Sequence, residues 1–98
     1  MFKQVQKLQA EMARVQAELA ETRVEATAGG GTVSAVANGH GELLSLTISP
    51  AAVDLADLEL LQDLVIAAVN EVQRKARALA EERMKAVTGG LHLPGVTL

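Results

Sequence analysis

Two histidines and a run of three glycines are the residues of this sequence that first suggest chemistry. His40 follows an Asn-Gly pair typical of a turn, and His92 lies near the C-terminus. A protein metal site needs several His, Cys or carboxylate ligands at suitable spacing, and the chain has no cysteine. The glycines at 29–31 lack the Lys-Ser/Thr of a phosphate-binding loop and precede a predicted strand, which favours a plain turn. The residues predict no enzyme activity, cofactor or metal site.

Basic residues are the remaining candidates, because they can neutralise DNA phosphates. The net charge is −3, yet residues 42–71 hold six acids and no base, whereas residues 72–98 hold five bases and two acids. The candidate phosphate contacts are Lys3, Lys7, Arg14, Arg74, Lys75, Arg77 and Lys85. The same stretches also allow ordinary surface ion pairs between residues four apart. These pairs are Lys7–Glu11, Arg14–Glu18, Glu71–Lys75 and Glu81–Lys85.

The elements that must position these bases can be read from the hydrophobic pattern. Apolar residues spaced alternately three and four apart predict a first helix over 2–22, and a similar stripe predicts a second over 54–87, capped by Asp54. Alternating residues between the helices predict strands over 23–28, 32–37 and 42–49, with the Asn38-Gly39 pair in the second turn. The prediction is an α+β domain over residues 1–98, with a three-stranded antiparallel meander between two long helices and a tail at 88–98.

The composition and the helix lengths also predict a homodimer. Phe2 is the only aromatic residue, so the core of this 98-residue chain must be built from aliphatic side chains and alanine. At ~1.5 Å per residue the second helix is about 50 Å long, while a seven-residue strand spans only ~23 Å. The helix must therefore project beyond the sheet as an arm. The start of the first helix and the end of the second are both distal to the meander, so the basic residues are expected to gather at the arm tip. The N-terminus lacks the apolar stretch of a secretory signal and no apolar run could span a bilayer, so a cytoplasmic location is expected.

Taken as a whole, the chain resembles the YbaB/EbfC family of bacterial nucleoid-associated DNA-binding proteins. The resemblance is carried by the opening helix and by the segments 24–31, 38–39, 48–50, 63–71 and 88–95. It implies a helix–sheet–helix subunit in a tweezer-like homodimer with projecting helical arms. It also implies binding to double-stranded DNA, a role in organising the nucleoid, and neither an enzyme activity nor a cofactor.

Two other interpretations stay open at this point. Helices joined by hairpins are also similar to prefoldin subunits, which suggests a coiled-coil protein-interaction or chaperone-like module. Such a module would engage non-native polypeptides through apolar arm tips, whereas charged residues dominate the predicted tips here. A membrane-surface helix over residues 1–19 would need more bases and a bulkier apolar face than this segment has.

Overall fold

Two long helices flank a three-stranded sheet in the computed structural model, which describes residues 2–89. Helix α1 (Phe2–Glu21) is followed by strands β1 (Arg23–Ala28), β2 (Val33–Asn38) and β3 (Leu43–Ile48). A 3-10 turn at Pro50–Ala52 leads into helix α2 (Leu58–Thr88). The predicted α+β class and order of elements are confirmed. The part of the predicted tail from residue 90 onwards lies outside the described residues.

The sheet is an antiparallel meander in the order β1-β2-β3. The turn between β1 and β2 contains Gly29, Gly30 and Gly31, with φ angles of 63°, 67° and 92°. Side chains other than glycine rarely adopt such positive φ angles. The glycine run is therefore required by the backbone of this turn, as predicted.

The second turn differs from the predicted Asn-Gly hairpin. Asn38 ends β2, and its side-chain Oδ1 accepts hydrogen bonds from the backbone N–H groups of His40 (3.0 Å) and Glu42 (3.1 Å). Gly41, with φ 84°, supplies the positive φ angle, and neither Asn38 nor Gly39 has one. The turn lies where it was predicted, but its positive φ angle is at Gly41 and not in the Asn-Gly pair, because the Asn38 amide organises the loop by accepting these backbone bonds.

Helix α2 begins four residues later than predicted. Asp57 is its N-cap, since the Asp57 side chain accepts a hydrogen bond from the Leu60 N–H at 3.2 Å. Asp54, predicted as the cap, instead accepts from the Ala56 N–H at 2.9 Å and so closes a turn before the helix. At the other end the helix ends at Thr88, and its C-cap Gly89 is right-handed, with φ −64° and ψ −22°.

One face of the sheet packs on the first part of α2. Ala26, Ala35 and Ala37 of the sheet lie fully or almost fully buried against Ala68 and Val72 of α2. Alanine is unusual in strands, and the small size of these residues predicts close approach of a helix or a second sheet. The packing shows that the approaching element is helix α2. We call the three strands together with residues 58–76 of α2 the sheet half.

The remaining part of α2 packs on α1 instead of the sheet. Val15 and Leu19 of α1 form a second, smaller core with Val87 of α2. The Gln16 side chain reaches the Met84 sulfur at 3.8 Å, which places the two helices side by side and antiparallel. We call α1 together with residues 77–88 the arm. The subunit is elongated, at 65 × 26 × 16 Å.

The two halves meet where the loop after β2 touches the end of α1. The Gly39 N–H donates to the Leu19 carbonyl oxygen at 2.8 Å, and the His40 Nε2 lies 2.9 Å from the carbonyl oxygen of Gln16. On the other side of this loop, the Gln73 side-chain amide donates to the carbonyl oxygen of Gly41 at 3.4 Å. The loop thus links both helices at the junction between the sheet half and the arm.

Candidate nucleic-acid interface

The three candidate bases on α1 lie on the outer side of the arm. Lys3, Lys7 and Arg14 are all exposed, and their spacings of four and seven residues place them on one side of the helix. The buried residues Val15 and Leu19 face α2 on another side. Arg14 forms an ion pair with Glu18 at 2.7 Å, as predicted from their spacing.

The candidate bases on α2 are divided between the two halves of the molecule. Lys75 donates a hydrogen bond to the Glu25 carbonyl oxygen of β1 at 3.0 Å, so it lies against the edge of the sheet. Arg74 is its neighbour, while Arg77 and Lys85 lie in the arm, and all four are exposed. The expectation that the bases gather at the arm tips is wrong for Arg74 and Lys75, because α2 contacts the sheet as far as Lys75.

Arg74 is held by a two-point ion pair with Glu71. The distances are 3.0 Å from Nε to Oε2 and 2.6 Å from a terminal guanidinium nitrogen to Oε1. The hydrogen bond from Arg74 lowers the pKa of Glu71, and the same bond raises the pKa of Arg74. The predicted Glu71–Lys75 pair is replaced by this one, since Lys75 turns towards β1. A DNA phosphate must therefore compete with Glu71 for Arg74.

Within residues 2–89, the ion pairs are Arg14–Glu18 and Arg74–Glu71. The amino groups of Lys3, Lys7 and Lys85 and the guanidinium of Arg77 thus have no carboxylate within 4 Å in this part of the chain. Such bases can bind a phosphate without first breaking an ion pair. Arg83 was not among the predicted contacts, and it is half-buried four residues after Leu79, on the side of α2 that faces α1.

A cluster of acidic residues lies at the opposite end of the molecule from the arm. Asp54, Asp57 and Glu59 surround the start of α2, and Asp63 follows one turn later, all of them exposed. This end approaches the turn between β1 and β2, where Leu64 lies close to Gly29. The charge is thus uneven along the long axis of the subunit, because residues 22–76 hold seven acids and three bases, whereas the arm holds five acids and six bases.

The described side chains offer little for other chemistry. Among residues 2–89, no group of three His, Asp or Glu side chains is arranged to hold a metal ion. In the same part of the chain, neither helix has both the length and the apolar character that a membrane span requires.

Comparison with known proteins identifies the family. The profile of the YbaB/EbfC DNA-binding family matches residues 1–91. The chain belongs to this family. Among its YbaB/EbfC relatives, a nucleoid-associated protein of Pelotomaculum thermopropionicum is 50% identical over 96 residues, which are 98% of this chain and 91% of the relative. A nucleoid-associated protein of Chloroflexus aurantiacus is 53% identical, covering 93% of this chain and 91% of the relative.

The YbaB/EbfC subunit fold is also seen in a solved structure. The crystal structure of an uncharacterized Helicobacter pylori protein superposes with a TM-score of 0.68 at 26% identity. The match covers 91% of this chain and 89% of the other. The family resemblance drawn from the sequence is confirmed.

Proposed function

We propose that this protein is a nucleoid-associated protein that binds double-stranded DNA as a homodimer. Its helical arms bind mainly phosphates, and it acts without catalysis in the cytoplasm, on the nucleoid. By covering DNA it helps to organise the nucleoid and so influences transcription or repair. Membership of a DNA-binding family and the names of the close relatives support this proposal.

The uneven distribution of charge along the subunit is the observation that carries the proposal. An acidic protein is repelled by DNA overall, but salt screens charges beyond about 10 Å at 0.1 M. The acids at the start of α2 belong to the sheet half of a 65 Å molecule, while Lys3, Lys7, Arg77 and Lys85 belong to the arm. DNA on the arm would therefore interact little with the distant acids at the start of α2, and the arm itself holds one more base than acids.

An uncovered apolar surface supports the homodimer. Leu46 and Ile48 of β3 pair with the buried residues Ala35 and Val33, so they face the same side of the sheet as α2. Helix α2 covers β1 and β2 but leaves Leu46 and Ile48 each 37% exposed. Leu43 of the same strand is also exposed, as are other apolar residues further along the chain: Val53, Leu55, Leu58 and Ile66. We propose this surface, called the β3 face, as the contact with a second subunit.

A salt titration tests the phosphate contacts. Replacing Arg74, Lys75 and Arg77 together with glutamine is expected to flatten the dependence of log affinity on log salt by about 2–3 units, because each phosphate contact releases close to one counterion. Fluorescence anisotropy with a labelled duplex, across several salt concentrations and unrelated sequences, measures this slope. Arg23→Gln is the control, since Arg23 is an exposed base at the start of β1, outside the candidate set. Unchanged affinity in the triple variant would remove these three residues from the interface.

Releasing Arg74 from its ion pair is expected to strengthen DNA binding. In Glu71→Gln the guanidinium is free for a phosphate, so we expect affinity to rise about threefold and the salt slope to steepen by up to about one unit. Lowering the pH should act in the same direction. The carboxylate of Glu71 is ionised above its lowered pKa and loses its charge as the pH falls through that value, whereas Arg74 stays charged.

The matched control for this variant is Glu82→Gln. Glu82 is exposed on α2 in the arm and is not paired with a base within residues 2–89. This control removes the same charge without releasing an arginine. Equal gains in Glu71→Gln and Glu82→Gln would mean that only net charge matters, and would contradict a contact from Arg74.

One observation favours the chaperone-like alternative. Phe2 and Val5 are 83% and 56% exposed at the start of α1, which provides apolar groups at the arm end. A chaperone-like protein would suppress aggregation of a denatured client, and Phe2→Ser with Val5→Ser would abolish that effect. The DNA-binding function would be supported if the same double variant still binds duplex DNA and the wild type has no effect on client aggregation.

A further inference from the structure

The basic residues of the arm form two rows, one on each helix. The bases of the α1 row are Lys3, Lys7 and Arg14, and those of the α2 row are Arg74, Arg77 and Lys85. The α2 row continues from the sheet half into the arm and also contains the exposed acid Glu81. All six bases are exposed. The direction in which each row points follows from the residues that are buried between the helices.

Helix geometry gives the direction of the α1 row. Seen from the N-terminus of a right-handed helix, successive residues advance clockwise by about 100°. The side of α1 that faces α2 is marked by Leu8, Met12, Val15 and Leu19. From the middle of that side, the α1 row lies about 130° counterclockwise. The row therefore points away from α2 and to one side of the plane that contains both helix axes.

The α2 row is displaced by a similar angle from its own contact side. That side is marked by Leu79, Ala80, Met84 and Val87. Seen from the N-terminus of α2, the row lies about 125° clockwise from the middle of this side. Because α2 runs antiparallel to α1, the displacement is counterclockwise when both helices are viewed from the N-terminus of α1. Two helices that face each other and carry rows displaced in the same sense present those rows on opposite faces of the arm.

The contact between Gln16 and Met84 agrees with this geometry. By the same construction, in the common view Gln16 is displaced about 70° clockwise from the contact side of α1, and Met84 is displaced about 55° counterclockwise from the contact side of α2. Both therefore fall on one face of the helix pair, and the Gln16 amide nitrogen lies 3.8 Å from the Met84 sulfur. The α1 row is on the other face. With helix axes about 8–10 Å apart, the two rows are separated by the full thickness of the arm.

We propose that each arm has two DNA-binding faces, so that one protein holds two segments of duplex DNA together. This inference rests on the proposed function and specifies how the arm would hold the DNA. A duplex lying on one face of the arm is touched by one row only, because the other row points in the opposite direction. The second row is then open to another anionic duplex, for which its exposed guanidinium and ammonium groups are suited.

Single-duplex binding and bridging can be measured separately. One duplex is fixed to beads, a second labelled duplex is added with the protein, and the retained label reports bridging. Anisotropy reports binding to one duplex. Row variants replace the three bases of either row with glutamine, Arg23→Gln is the matched control, and sedimentation checks that each variant keeps the assembly state of the wild type.

We expect the wild type and Arg23→Gln to retain the second duplex. Either row variant should bind a single duplex within about tenfold of the wild-type affinity but retain at least about tenfold less of the second duplex. Combining both row variants should abolish binding. Retention that survives loss of either row would overturn the proposal, as would a wild type that binds one duplex without retaining another. A wild type that binds no duplex at all would contradict the proposed function itself.

Discussion

Replacing Gly39 with alanine is expected to lower the free energy of unfolding by about 2–3 kcal/mol, because the new methyl group has no room. A Cβ atom at this position would lie 2.7 Å from both the Cδ2 and the carbonyl oxygen of Leu19. Real Cβ atoms do not come this close, so α1 would have to move from the sheet half. The loss is a large part of the roughly 5–15 kcal/mol that stabilises a small domain.

Urea unfolding at fixed protein concentration measures this effect, and Gly30→Ala is its control. Gly30 has a φ of 67°, but a Cβ atom there would meet nothing within 4 Å. Left-handed backbone costs an alanine about 1 kcal/mol, so the control should be affected less. If Gly30→Ala lowered the free energy of unfolding more than Gly39→Ala, backbone conformation and not contact with Leu19 would be the reason that these turns need glycine.

Placing a charge on the β3 face is expected to separate the proposed dimer into monomers. In Leu46→Glu a carboxylate would be buried at the subunit contact without a partner, which is strongly unfavourable. We expect the dissociation constant to rise more than about a hundredfold. DNA affinity should fall with it, because two linked arms bind more tightly than one. Sedimentation and anisotropy on the same samples would measure both changes.

Thr47→Glu is the matched control for the β3 face. Thr47 is the next residue on the same strand and pairs with Ser34, so it lies on the opposite side of the sheet from α2. It is exposed, as Leu46 is, and the substitution introduces the same charge. A dimer that persists in Leu46→Glu, or dissociates equally in Thr47→Glu, would be evidence against the β3 face as the contact. Circular dichroism would confirm that both variants remain folded.

Local sequence patterns were sufficient for the order of elements and for most of the core. The alanines of β1 and β2 indicated the close approach of α2, and the three glycines indicated the first turn. The start of α2 was misplaced because Asp54 and Asp57 are equally suited to cap a helix. The structure distinguishes the two, because the Asp54 side chain closes a separate turn before the helix, while the Asp57 side chain caps the helix. The role of Gly39 was also hidden, because it depends on contact with Leu19, twenty residues away in sequence.

The candidate interface could be predicted only as a set of residue types. Helical spacing identified the basic rows. It did not show that Lys75 would donate to the backbone of β1 or that Arg74 would form an ion pair with Glu71. These contacts depend on which side of α2 faces the sheet. The opposite directions of the two rows likewise depend on the antiparallel packing of α1 on α2, which no local pattern encodes.

The sharing of one continuous helix between the two halves has a consequence for changes in chain length. A residue inserted in α2 between Ala76 and Leu79 would rotate everything beyond it by about 100° and shift it by ~1.5 Å. Leu79, Met84 and Val87 would then no longer meet α1, although every individual side chain was unchanged. The open turn at Gly30 and Gly31 has no such requirement. Natural insertions and deletions should therefore be tolerated in this turn. Within α2 they should be tolerated only when they add or remove two complete helical turns and when α1 changes in length by the same amount.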